Sequence, residues 1–225
     1  MSRKQLLIGL VAVAVVVVGI VAYFVFFDES PSGSVSGETS KFGIALTSRD
    51  RAEGSPQAPI LIVEYAAPTC PHCAHFDMDF FPQFKQQYID SGKVYFIFRV
   101  FPLNAVDVAA ESMARCLPED NYFQFLDLLY RNQPKWDPDG YAIADPRAAL
   151  VQMGKIAGMS ADKANSCIDD QAASKRIQDV GTDAQAKYGI AGTPTFVVNG
   201  QTQMHGPFAD FQELQSFFDP MLAKK

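Results

Sequence analysis

Ile60-Leu61-Ile62-Val63-Glu64-Tyr65, followed closely by Cys70-Pro71-His72-Cys73, is the stretch that decides the fold. The first six residues are apolar at nearly every position, as suits a central strand covered on both faces. After Cys73, Phe76, Phe80, Phe84 and Tyr88 recur every four residues and mark a helix, with Pro82 expected to kink it and Ser91-Gly92 to stop it. Val94-Tyr95-Phe96-Ile97-Phe98 is a second buried strand. Strand, helix and strand at this spacing form a βαβ unit, hence a parallel pair. Two thiols two residues apart therefore sit where a strand hands over to a helix.

The next 80 or so residues contain no good strand. Ala109, Met113 and Cys116 share one helical face, as do Tyr122, Leu126 and Leu129, and Glu119-Asp120 after Pro118 favours a helix start. Residues 132–140, from Asn132 through Trp136 to Gly140, are expected as a loop, and further helices over 145–157, 161–169 and 171–188, ended by Gly189. The period then changes. Pro194-Thr195-Phe196-Val197-Val198 and Gln201-Thr202-Gln203-Met204 flank Asn199-Gly200, a strong hairpin signal. Phe211, Leu214, Phe218 and Met221 mark a closing helix. The expected order is βαβ, a helical insertion over about 104–188, then ββα.

The paired thiols carry chemistry. A helix N-terminus offers unpaired backbone N–H groups and the positive end of the helix dipole, so a thiolate at Cys70 is favoured over its thiol. Pro71 suits the first helical turn, where its missing N–H costs nothing. Cys73, one turn on, reaches back to Cys70 and is the more buried of the two. His72 is expected to add a second donor or a positive charge beside the Cys70 sulfur. A low thiol pKa makes Cys70 a good leaving group and stabilises the reduced pair, so the disulfide is directed toward donation. Two other uses fit poorly. A structural bridge over two residues gains little from loop closure. Cys70, His72, Cys73 and His75 point in different directions along two helical turns and cannot surround one tetrahedral ion, so no metal is expected.

Other polar positions are weighed in the same way. Glu64 inside an apolar strand is costly unless it has a partner or a role, and is expected beneath the thiol pair, handling the proton of Cys73. The alternative is an edge strand with the carboxylate in solvent. Thr193-Pro194 opens a strand, and from the residues alone a trans bond is the default. His205 reads as a strand-end surface residue and Trp136 as packing. Cys116 and Cys167 fall on separate insertion helices. A bridge between them would pin the two together, while redox tuning or free buried thiols are the alternatives.

The chain has 225 residues and a formal net charge of -6, with no Lys/Arg cluster, so nucleic acid is an unfavoured partner. No internal repeat is visible. Arg3 and Lys4 precede an unbroken apolar stretch from Leu6 to Phe27, about 20 residues and long enough to span a bilayer. It ends in Tyr23-Phe24-Val25-Phe26-Phe27 with no small-residue cleavage step, so residues 1–27 are expected as an uncleaved inner-membrane anchor, with a cleaved signal as the alternative. Residues 28–41 form a flexible tether, and 42–225 one domain lying outside the cytoplasm.

Cys70-Pro71-His72-Cys73 with Glu64 six residues upstream resembles the bacterial DsbA family of thiol-disulfide oxidants, within the thioredoxin superfamily. Phe101-Pro102-Leu103 and Gly192-Thr193-Pro194-Thr195-Phe196 add to the likeness, which spans residues 42–225. The resemblance implies a thioredoxin fold with a helical insertion. It implies Cys70 as exposed nucleophile and mixed-disulfide site, Cys73 as its buried partner, and Glu64 as the buried acid. Pro194 would be a cis-proline facing the pair, against the default above. The backbone of Thr193 would pair with an extended substrate segment. The implied activity is donation of the disulfide to reduced extracytoplasmic proteins by a monomer needing no cofactor, with reoxidation by a DsbB-like, quinone-linked membrane protein. The alternatives are an isomerase or reductase of the same fold, and a binding or chaperone module without turnover. Related isomerases usually add a dimerisation domain, for which the 28–41 tether is too short.

Overall fold

The computed structural model describes residues 39–223, and the expected membrane segment and most of the tether lie outside them. Among the described residues no helix is long and apolar enough to cross a membrane. The strands are β1 (Arg51–Glu53), β2 (Ile60–Ala66), β3 (Val94–Val100), β4 (Thr195–Val198) and β5 (Thr202–His205), in the spatial order β1-β3-β2-β4-β5. β2 and β3 are parallel from Ile60 opposite Val94 to Ala66 opposite Val100, as the βαβ spacing requires. The other pairs are antiparallel. The short β1 edge strand was not expected; three residues give too brief an alternation to register as a strand.

The helix after the thiols, α1, runs over residues 71–89. It alternates α-turns (Pro71–His75, Phe81–Phe84) with π-turns (Phe76–Phe80, Lys85–Ile89). Pro82 falls just after the first π-turn, where the Phe81 N–H bonds Phe76 O. A widened turn there accommodates a residue that has no N–H and whose ring crowds the preceding turn. The insertion comprises α2 (Ala105–Cys116), a 3-10 turn (Glu119–Asn121), α3 (Tyr122–Arg131), α4 (Gln133–Trp136), α5 (Pro146–Ile156), α6 (Ala161–Ile168) and α7 (Gln171–Tyr188); α8 (Phe211–Ala223) closes the domain. The expected 132–140 loop is corrected: its first half is the single helical turn α4. That turn is held by fully buried Trp136, whose Nε1–H donates to Leu129 O at 2.8 Å.

Alternation along β2 sorts its side chains onto two cores. Leu61, Val63 and Tyr65 join Ile97, Ala184, Ile190 and Val197 on one face. Ile60, Ile62 and Ala66 face a larger core with α1, the insertion and α8. Period-2 geometry puts Glu64 on this second face.

The insertion is fastened to itself in two ways. Cys116 of α2 and Cys167 of α6 are disulfide-bonded. Glu111, fully buried, accepts from Tyr122 Oη at 2.8 Å and from the Arg115 guanidinium, which also donates to Arg49 O at 2.7 Å. Burial pushes the Glu111 carboxyl up, and Arg115, Tyr122 and Arg51 hold it down. Arg115→Met would leave the carboxyl without its hydrogen-bonded counter-charge. Urea unfolding should show a loss of about 3 kcal/mol, the usual scale for breaking a buried pair from one side.

Candidate active site

Cys70 is the N-cap of α1, in extended conformation (φ −74°, ψ 119°), and Pro71 occupies the first helical turn beside it. The Cys73 N–H donates to the Cys70 sulfur at 3.3 Å, and the Cys70 thiol donates to Thr193 O at 3.3 Å. Both cysteines carry free thiols here. Cys70 is 4% exposed and Cys73 1%, so the expected exposed nucleophile is itself a recessed sulfur, flanked by exposed Pro71 and His72.

The two thiols are driven apart electrostatically. Cys70 is lowered to about 6, chiefly by the hydrogen bond with the Cys73 thiol, then by Thr193 and the backbone N–H groups of Cys73 and His72, against burial. Cys73 is pushed up by burial, by Cys70 and by Glu64. His72 therefore acts on the Cys70 sulfur through its backbone, and its exposed ring has no bond to that sulfur among those described. The expected second donor is thus the backbone N–H of His72. It has a simple cause: residues after an N-cap aim their N–H groups at it while their side chains point outward.

The dithiol should thus be a selective nucleophile. Alkylation by a neutral haloacetamide should follow one ionisation with a midpoint near pH 6 and modify Cys70 alone. The same depression stabilises the folded dithiol. That contribution is complete above the unfolded thiol range near pH 8.5, and it is lost as pH falls through about 6.

Glu64 lies on the central strand β2, opposite Phe98 of β3 and Phe196 of β4, and is 5% exposed. The edge-strand alternative is excluded. Burial, then Asp77 and Cys70, push its carboxyl well above the ordinary range, which favours a protonated acid beside a thiol. Asp77, one turn beyond Cys73, is pushed up to about 7 by burial and Asp127, with Arg131 pulling it down. Its i,i+4 spacing from Cys73 was the available signal, since such residues share a helix face.

Opposite the thiols, Thr193-Pro194 is a cis bond, as the resemblance implied and against the trans default. Pro194 O accepts from Gly206 N at 3.1 Å, and a Cβ on Gly206 would come within 2.8 Å of the Pro194 ring. Thr195 Oγ1 donates to Gly192 O at 2.7 Å and meets His205 Nδ1 at 3.0 Å. His205 is exposed, as expected, yet it buttresses the proline loop.

The insertion also grips the segment entering α1. Buried Gln133 of α4 donates to Pro68 O at 2.8 Å and Cys70 O at 3.2 Å. Asp107 of α2, fully buried, accepts from Thr69 N at 2.8 Å. Neither was foreseen. A glutamine in an expected loop and an aspartate in a capping box read as local features until tertiary structure brings them to residue 70.

Known proteins are similar to this chain in sequence and fold. The thioredoxin family profile matches residues 47–219. A putative protein-disulfide oxidoreductase of Rickettsia bellii is 33% identical over 165 residues, 72% of this chain and 62% of that protein; the match thus spans less than two thirds of the relative. A probable disulfide bond formation protein D of Bacillus cereus is 27% identical over 99% of both chains. The crystal structure of alpha-DsbA1 from Wolbachia pipientis superposes with a TM-score of 0.72 at 28% identity, covering 83% of this chain and 97% of that one.

Proposed function

Because this chain belongs to the thioredoxin family, as a DsbA-like member, we propose that it donates the Cys70–Cys73 disulfide to reduced proteins outside the cytoplasm. The observation that carries the reading is the divided pair. One thiol is lowered to about 6 at a helix N-cap; the other is raised beside a buried acid.

In the oxidised form a substrate thiolate attacks the Cys70 sulfur. A new S–S bond forms, the Cys70–Cys73 bond breaks, and its electron pair goes to Cys73. Glu64 supplies the proton, leaving Cys73 a neutral thiol and Glu64 a carboxylate. A second substrate thiolate then attacks the substrate sulfur of the mixed disulfide. Cys70 leaves as a thiolate that its N-cap stabilises. The products are a substrate disulfide and a reduced pair. Thr193 and Pro194 supply the rail along which an extended substrate segment pairs. A DsbB-like, quinone-linked membrane protein returns the pair to the disulfide, and residues 1–27 tether a monomeric domain to the inner membrane.

Two assays separate the directions. The oxidised protein should restore activity to a reduced, unfolded disulfide enzyme stoichiometrically, and should reduce insulin poorly. Rapid insulin reduction without net oxidation of the unfolded substrate would instead favour the reductase.

A further inference from the structure

Four buried side-chain polar atoms lack a hydrogen-bond partner among the described residues. Two belong to residues that act on the dithiol: Thr193, whose carbonyl accepts from Cys70, and Tyr130 of α3, which interacts electrostatically with Cys73 and Cys70. Other buried aromatic heads are satisfied, Tyr88 by Asp219, Tyr122 by Glu111 and Trp136 by Leu129 O. Tyr130 is 3% exposed on α3, which packs across α1. A buried hydroxyl without a partner is costly and uncommon, so its position calls for a physical reason.

We infer that Tyr130 is a positioning residue for the proton of Cys73, its hydroxyl hydrogen-bonding to the charge that develops on the Cys73 sulfur and then on the Glu64 carboxyl. This deepens the disulfide-exchange reading and rests on it.

The groups that act on the hydroxyl are Cys73, Cys70 and Asp77 of α1 and Glu64 of β2, with Cys73 foremost. Asp77 in turn faces Asp127 and Arg131 of α3. Burial keeps the phenol protonated, so it serves as a donor and retains its own proton throughout. A neutral thiol is a weak acceptor, which accounts for the unpaired state in the dithiol. When substrate attack breaks the S–S bond, the electron pair on Cys73 creates a strong acceptor at this spot. A small rotation of the sulfur, or one bridging water, brings phenol and thiolate together. Glu64 then neutralises the sulfur, and the hydroxyl turns to the carboxylate left behind. Every donor is thus used in the charged states and spared in the neutral one.

The test is Tyr130→Phe in the full chain, which removes one oxygen and keeps the ring. The rate of exchange with a dithiol peptide is followed against pH, in the oxidising direction and, with the disulfide peptide, in reverse. We expect about tenfold slower exchange at pH 7 in both directions, the scale of one hydrogen bond to a charged group. The thermal midpoint and the Cys70 alkylation midpoint should be retained. In a Glu64→Gln background the same change should cost less than about twofold, because the two groups act on one proton. A wild-type pH–rate profile in Tyr130→Phe overturns the inference, as does an undiminished loss on top of Glu64→Gln. Wild-type protein that exchanges only in the reducing direction overturns the oxidase reading instead, and the Tyr130→Phe ratio remains measurable there.

Discussion

Cys73→Ala is expected to abolish turnover and to leave Cys70 captured in stable mixed disulfides. Without the second sulfur no intramolecular bond exists to donate, and no buried thiolate can release a partner from Cys70. The substitution should also report on the origin of Cys70 acidity. The Cys73 thiol is the first cause of the low value, so the alkylation midpoint should rise from about 6. It should stay below the ordinary thiol range, because the backbone N–H groups of residues 72 and 73, the helix dipole and Thr193 persist. Mass spectrometry of adducts and a pH series of alkylation rates check both statements. A midpoint that does not move would mean that backbone and dipole alone set the thiolate.

The second large effect is on stability. Replacing Cys116 and Cys167 together by Ala should lower the unfolding free energy by about 4 kcal/mol, the loop-entropy value for a bridge across 51 residues. Against a typical total of about 5–15 kcal/mol this is a large share. The loss should appear as an earlier urea midpoint. It should leave the alkylation midpoint of Cys70 near pH 6, since α6 makes none of the hydrogen bonds described at that sulfur. A displaced Cys70 midpoint would instead assign the bridge to redox tuning.

Much of this was legible in the residues, and the boundary of legibility is physical. β2, β3 and the hairpin around Asn199-Gly200 announce themselves because apolar runs and turn chemistry act locally. Cys70 is legible for the same reason, since strand, N-cap and Pro71 are contiguous. Glu64 is legible as a charge in an apolar strand, and its central position follows from the pairing of β2 with β3 on one side and β4 on the other. Gln133, Asp107, Tyr130 and Gly206 reach the site only after the insertion and hairpin fold back on it, and no periodicity encodes that return. The cis bond at Pro194 followed from resemblance, because the residues alone favour trans. At His72 the residue type leaves donor and charge open, and its place after an N-cap selects the backbone N–H as the donor.

One asymmetry is central: a thiolate is stabilised at Cys70 and disfavoured at Cys73, which makes the reduced pair the favoured state. Equilibrating the Cys70–Cys73 pair with defined glutathione buffers tests it most directly. A potential more oxidising than about −180 mV is the predicted result, and a value near about −270 mV, typical of a cytosolic reductant, would contradict it.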